Sequence, residues 1–464
     1  MKPMANRRRF LLPFALVAAI AVLLAASACN GGGGDSNGGD GTPSGGTVTV
    51  TLWHSMGAPL STGLERIIQE FNASQSRYRV EPVFQGSYTD SLNKLISSIG
   101  SGNIPTLIQL DDISTQIMID SQEIKPVQDF IDDEDYDLSD FEPKALDYYR
   151  IDGKLYSMPF NMAGPILYYD KQLFRDAGLD PEQPPRTLEE VRQFAEQIVE
   201  RDAQGNTTRY GIALHISPWI FEQMLAKQGA LYVNSNGREG RATEAMFASE
   251  EGMKILRWYD EMIEDGLALN SGRDSTNAML SIATGQSAMA MESTAALSAA
   301  VALIAVSGED PERLGTGPLP APASDAEGGI VLGGASFWVL AEQPDEEQRG
   351  AWEFIKFAAS PEQQAQWHAD TGYFPSRLSA YDLPAAVQRR QAFPQFETAV
   401  TQLRESPDTP ATNGALLGSF RSVRDRVTQA FEEVLSAGAD PDSRLSAAEQ
   451  QATGDIEEYN RTAP

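Results

Sequence analysis

The chain has 464 residues, 41% of them hydrophobic, and its 65 acidic and 36 basic side chains give a formal charge of -29. That length exceeds one typical hydrophobic core and predicts two lobes, while the acidity argues against binding a nucleic-acid backbone. A single cysteine, Cys29, excludes an intramolecular disulfide and a cysteine-based metal cluster, and the three histidines His54, His215 and His368 show no ligand spacing.

Residues 1–28 begin with Lys2, Arg7, Arg8 and Arg9, followed by an uncharged run from Phe10 to Ala28. A basic segment before an apolar one is an export signal rather than part of the fold. Ala26-Ser27-Ala28-Cys29 resembles a bacterial lipobox, so Cys29 is expected to carry lipid at the outer face of the cell membrane. The alternative is an uncleaved membrane anchor. Asn6-Arg7-Arg8-Arg9-Phe10-Leu11 also resembles a twin-arginine signal. Residues 29–46 are then a lipidated cysteine and a glycine-rich tether with too little apolar surface to fold.

From Val48 to Trp53 β-branched residues predict a strand, and a helix is expected from Leu60 to Asn72. Tyr78–Phe84 alternates as a second strand, with Pro82 suggesting an edge. A helix over Thr89–Gly100 precedes the short apolar run Thr106–Leu110, which delivers Asp111 and Asp112 at its carboxyl end. Alternation of strand and helix predicts a parallel sheet covered by helices, whose ligands sit beyond the carboxyl ends of the strands.

Lys154–Asn161 is strand-like, and Gly164–Asp170 is read as a first crossing into a second lobe. Thr187 with Glu190 predicts a capping box. Helical spacing recurs at Trp219–Gln228, Glu250–Asp265 and Ser275–Thr284, and Ser287–Thr294 is a buried strand ending in hydroxyls. Gly315–Gly329 is expected to loop back to Gly333-Gly334, the second crossing. A strand there is followed by a helix over Glu347–Ala358, a tight aromatic turn over Trp367–Pro375, and a third crossing after Tyr373. The chain should close with an acidic helix, Ala447–Tyr459.

Several runs together resemble a known family. They are Leu52-Trp53-His54-Ser55-Met56, Gly86-Ser87-Tyr88, Gly102-Asn103-Ile104-Pro105, Gly178-Leu179-Asp180-Pro181-Glu182-Gln183-Pro184-Pro185, Gly333-Gly334-Ala335-Ser336-Phe337-Trp338-Val339 and Trp367-His368-Ala369-Asp370-Thr371-Gly372-Tyr373-Phe374-Pro375. The chain looks like an extracellular solute-binding protein of an ABC importer, in the sugar-binding group that includes the maltose-binding protein, and it is most similar to the glycerol-phosphate branch. The resemblance implies an α/β fold of two lobes of the periplasmic-binding (type II) kind, joined by three crossings around a central cleft. It places residues 47–162 and 334–374 in the N-terminal lobe, and 163–333 and 375–464 in the C-terminal lobe.

By the same resemblance, Tyr88 would pack on a glycerol face and Asp112 would accept from ligand hydroxyls, with Asp111 as its local rival. Ser293, Thr294, the Gly334 N–H, Tyr373 and Arg424 would contact phosphate, Arg421 and Arg426 being alternatives to Arg424. There are two departures. Ala163 stands where the family has a serine, and Ile216 falls where a stacking tryptophan is expected, with Trp219 three residues on. Relatives with that change look suited to glycerophosphodiesters such as glycerophosphocholine.

The function so implied is capture of a glycerol-phosphate compound and delivery to a membrane permease served by a cytoplasmic ATPase, by a monomer without catalysis, cofactor or metal. A neutral oligosaccharide is the alternative ligand. A secreted hydrolase using paired carboxylates is the remote one, since no nucleophile or metal motif accompanies them.

Overall fold

A computed structural model describes residues 46–306 and 308–464. The expected signal peptide, Cys29 and the glycine-rich stretch through residue 45 lie outside those residues.

Val48–His54 pairs parallel with Tyr78–Phe84 on one side and Leu107–Asp111 on the other. The connecting helices Leu60–Ser74 and Tyr88–Ser98 bury Leu64, Ile67, Ile68 and Phe71, and Leu92 and Leu95. This is the amphipathic spacing at work. The helices dock through one apolar stripe each, in one core with Val50, Leu52, Leu107, Ile108 and Leu110, whereas Tyr78–Phe84 buries only Tyr78 and Val80. Tyr78–Phe84 is an edge strand, where the N–H that Pro82 lacks removes no ladder bond.

The first sheet is completed by Gly333–Leu340, Ile124–Lys125 and Met158–Ala163. Gly333–Leu340 runs antiparallel to Leu107–Asp111 and to Met158–Ala163, so the sheet is mixed rather than wholly parallel. A strand returning from elsewhere in the chain enters from the opposite end, which local alternation could not reveal.

The second sheet has the order Ala268–Asn270, Thr207–Leu214, Ser287–Ser293, Pro165–Asp170, Leu314–Pro318, with Glu200–Arg201 added beside Thr207–Leu214. Its first three strands are parallel, and Pro165–Asp170 is antiparallel to both its neighbours. Leu314–Pro318 is a strand where glycine and proline content predicted only a loop. Its Gly315 lies so close to the Tyr169 ring that a Cβ would stand 2.2 Å from it.

Three local expectations change. Thr187 caps its helix by accepting from Glu190 N, but the Glu190 carboxylate accepts from Arg186 N, so the box is half formed. A complete capping box stands instead at Ser87 and Asp90, ahead of Tyr88. The run expected as an aromatic turn is mostly helix, Pro361–Thr371, stopped by Gly372 at φ 97°. The acidic C-terminal helix spans Pro441–Thr462 and packs on Phe420–Ala437.

The chain leaves the first sheet for the second at Gly164, and three segments converge there. A Cβ on Gly164 would stand 2.8 Å from Ile330 Cδ1 and 3.1 Å from Phe374 Cε2. Phe374 N donates to Met162 O at 2.8 Å, and Gly333 and Gly334 pair with Ala163 and Met162. Gly334 has φ 131°, and a Cβ there would lie 2.1 Å from Asn161 O. Only glycine fits both the backbone angle and the approach. Gly334→Ala should therefore lower stability by about 1–3 kcal/mol, measured as the denaturation midpoint. An unchanged midpoint would contradict the close approach.

Candidate functional site

The parallel strands of the two sheets end on most of the candidate side chains. From the first sheet come Asp111 and Asp112, with Tyr88 opening the helix after Tyr78–Phe84. From the second come His215 and Ile216 after Thr207–Leu214, and Glu292, Ser293 and Thr294 closing Ser287–Ser293. Trp219 Nε1 and Asp112 Oδ2 lie 3.1 and 3.5 Å from the point where a Cβ on Gly333 would stand. Gly333, rather than Gly334, is thus the glycine beside the candidate ligand groups.

Asp112, Tyr148, Trp219, Glu222, Tyr232 and Arg424 line one small cavity of about 30 Å³. That holds a water molecule but not a small organic ligand. Arg424, on the first turns of the helix Phe420–Ala437, reaches it with its guanidinium carbon over the Phe420 ring, 5.0 Å from the ring centre. Its Nε donates to Glu222 Oε1 at 2.7 Å and its Nη2 to Glu222 Oε2 at 2.6 Å. The side chains are 17% and 11% exposed, so this is a buried bidentate pair. Burial disfavours the guanidinium charge, but Glu222 and Asp112 outweigh it and hold Arg424 above its ordinary value. Glu222 itself is pushed up by burial despite Arg424.

Asp112 is 8% exposed, and burial pushes its carboxyl up to about 7, with Asp111 and Glu222 adding and Arg424 opposing. Its rival has another role. Asp111 Oδ1 accepts from Arg421 Nη2 at 2.7 Å, and the same guanidinium donates to Thr89 Oγ1 and Ser114 Oγ. Arg421 therefore ties the helix Phe420–Ala437 to the strand ends of the first sheet. A second tie joins Arg241 and Tyr459 to Asp120. Arg426 pairs with Asp455 away from the cavity.

A second wall is aromatic. Tyr88 is half-buried, and its hydroxyl accepts from Asn161 Nδ2 at 3.2 Å. Tyr373 is 6% exposed and stacks on Trp367 with ring centroids 5.6 Å apart. Burial pushes its phenol up to about 12, opposed by a hydrogen bond with Asn161. Tyr149 packs edge-on against Tyr148, with ring centroids 5.1 Å apart, and the Tyr148 hydroxyl donates to Asp112 O at 3.3 Å.

The remaining candidates divide. Ile216 is 5% exposed, belongs to the second-sheet core and does not line the cavity, whereas Trp219 does. Thr294 is fully buried, and its Oγ1 accepts from Gly164 N at 3.3 Å, which commits it to the crossing. Ser293 is half-buried, and its Oγ accepts from Ala295 N at 3.1 Å.

Sequence reading missed Glu222 and Glu292. Glu292 Oε2 lies 3.6 Å from His215 Nε2, and burial lowers the His215 imidazole despite that partner. Helical spacing held a signal for Glu222. It lies one turn beyond Trp219, on the same face. Among the described residues, no group of three or more His, Cys, Asp or Glu could hold a metal ion. No described helix is long and apolar enough to cross a membrane. A larger concavity, about 740 Å³, lies elsewhere in the second half, between Lys171–Arg186 and Pro394–Glu405. Its Lys171 and Arg313 are paired with Glu182 and Asp170, and Arg175 and Arg186 also line it.

The family model for bacterial extracellular solute-binding proteins matches residues 66–395. The chain belongs to that family. It is 31% identical over 422 residues to the sn-glycerol-3-phosphate-binding periplasmic protein UgpB of Escherichia coli K12, covering 89% of this chain and 94% of the relative. Among solved structures, the cyclic α-maltosyl-1,6-maltose binding protein of Arthrobacter globiformis is 25% identical, with a TM-score of 0.71 over 89% of this chain and 100% of its own. UgpB of Mycobacterium tuberculosis, solved with glycerophosphocholine, is 20% identical with a TM-score of 0.74 over 89% and 100%. The fold is that of the maltose-binding-protein-like group, and the protein is a solute-binding component of the sugar and glycerol-phosphate importer family.

Asp112 carries a stability cost that can be measured. Its folded pKa is raised, so the folded state keeps a proton that the unfolded chain releases near pH 4. Stability therefore falls as pH rises from about 4 to about 7, and the penalty persists above. Asp112→Asn should stabilise the protein by about 1–4 kcal/mol at pH 8 and by little at pH 4, measured by denaturant unfolding. Equal effects at both pH values would contradict the buried, proton-retaining carboxyl.

Proposed function

We propose that the protein captures a glycerol-phosphate compound outside the cell, tethered by lipidated Cys29, and delivers it to an ABC permease. The observation that carries this reading is Arg424, a buried guanidinium in a strongly acidic chain, set in one cavity with Asp112 and Trp219. Its planar fork suits phosphate oxygens. Asp112 would accept from glycerol hydroxyls, and Trp219 would offer an apolar face to the carbon chain. Tyr88, held by Asn161, and Tyr373 would line the far side, with Ser293 and the backbone at Gly333-Gly334 supplying neutral donors. The 31% identity to a glycerol-phosphate binder supports the same assignment.

Within that class we favour a glycerophosphodiester. Ala163 supplies no hydroxyl for a third phosphate oxygen, and Ile216 leaves Trp219 alone at that wall. A cavity of about 30 Å³ requires the two halves to part before any such ligand enters. We assign residues 47–162 with 334–374 and 163–333 with 375–464 to two lobes that hinge at the crossings. Arg421 and Arg241 would latch the closed form.

A neutral oligosaccharide is the second reading, because Glu222 already satisfies the Arg424 fork and leaves the cavity without net positive charge. Calorimetric titration with sn-glycerol-3-phosphate, glycerophosphocholine and maltose separates the two. Binding of a phosphate compound, lost by at least about 100-fold in Arg424→Ala, is expected from the loss of a charge-assisted bidentate contact. Binding of maltose alone, or normal phosphate affinity in the variant, would overturn the assignment. Cys29→Ser should move the protein from the membrane to the soluble fraction, and continued membrane retention would contradict the lipid tether.

A further inference from the structure

Glu222 lies on the helix Pro218–Lys227, one turn after Trp219, and both side chains reach the cavity that holds Arg424. Its two carboxylate oxygens accept from Nε and Nη2 of Arg424, the edge of a guanidinium that a phosphate would take in a bidentate contact. Asp112 adds a second carboxyl close enough for its charge to act on the same guanidinium. Among the side chains that line the cavity, one permanent cation therefore faces two acids. Arg238 lies behind the Tyr148 ring, 4.6 Å from its centre, and donates to the backbone carbonyls of Tyr148, Asn413 and Gly414 rather than into the cavity. Asp111 is consumed by Arg421, and the buried phenols of Tyr148, Tyr149 and Tyr232 are all held well above their ordinary value.

We infer that Glu222 is a specificity-determining residue that selects ligands by anionic charge, admitting a phosphodiester and rejecting a free phosphomonoester. This inference rests on the phosphate reading above and deepens it. A phosphomonoester carries about -1.5 to -2 at pH 7, whereas a diester has one ionisable oxygen and a single charge. A dianion that took the Arg424 fork would displace Glu222 and leave a buried carboxylate uncompensated beside a second negative group. A diester carries less charge into that field. If its second alcohol bears a cation, the acidic cavity favours it further. Glu222 thus occupies the anion position in advance, and only a weakly charged ligand shares the guanidinium with it.

The test compares sn-glycerol-3-phosphate and glycerophosphocholine by calorimetry at pH 7.5, with the wild type, Glu222→Gln and Glu222→Asp. Wild type should prefer the diester. Glu222→Gln should shift the ratio of affinities toward the monoester by at least about 10-fold, the scale of one removed neighbouring charge, while Glu222→Asp, which keeps the charge, should leave the preference for the diester. An unchanged ratio in Glu222→Gln overturns the inference and leaves the phosphate reading intact. Wild type that binds neither compound overturns the phosphate reading and this inference with it. Should Glu222→Gln fail to fold, the wild type decides alone through the ratio of the two affinities between pH 7.5 and 5.5. Protonation of Asp112 relieves a dianion about twice as much as a monoanion, and the monoester alone loses a charge, so both effects act in its favour. A relative gain for the monoester supports the inference, and a constant ratio overturns it.

Discussion

A buried ion pair between the two sheets organises what surrounds it. Arg424 and Glu222 hold each other at 2.6–2.7 Å, nearly out of contact with water. Such a pair adds little net stability over an apolar packing of the same volume, yet breaking it by removing one partner is costly. Its presence at the meeting of strand ends therefore points to selectivity rather than to holding the fold together. The charge of Asp112 follows from the same set, since its carboxyl is raised by burial and by Glu222 and lowered by Arg424.

The pair can be buried only because the backbone around it is tightly constrained. Gly164, Gly333 and Gly334 let three segments pass through a space that side chains would fill. Thr294 is spent on that junction, its hydroxyl bonded to Gly164 N. Arg421 and Arg241 then close the gap from the other half of the chain, through Asp111 and Asp120. These contacts are polar and partly exposed, so they can break without exposing a core. Most of the hydrophobic core lies within one half or the other, but Ala145, Met162 and Phe374 join Ile166 and Tyr168 in one apolar cluster at the crossing, and Ile113 reaches the second-sheet core. The proposed hinge would thus keep its apolar contacts at the crossing and break only the polar ones at the rim.

Much of the fold was legible in the sequence. β-Branched residues marked the strand Val48–His54, a short apolar run marked Ser287–Ser293, and helical spacing marked Leu60–Ser74 and Glu250–Glu264. Less local features were not. The antiparallel entry of Gly333–Leu340 depends on where the chain returns, and Leu314–Pro318 looks like a loop because its glycine makes room for the Tyr169 ring. The site shows the same limit. Motifs pointed to Tyr88, Asp112, Tyr373 and Arg424, and to Trp219 or Ile216 without deciding between them. Glu222 was one acid among 65 acidic side chains, and composition cannot say which of them meets a buried arginine. Its pairing partner lies 202 residues away in the chain.

The most direct test of the account is a crystal structure of the protein grown with glycerophosphocholine. The account predicts the phosphate oxygens on the Arg424 guanidinium, the glycerol hydroxyls on Asp112, and Trp219 against the carbon chain. Ligand density away from Arg424, or none at all while a maltose co-crystal places a sugar beside an undisturbed Arg424–Glu222 pair, would contradict it.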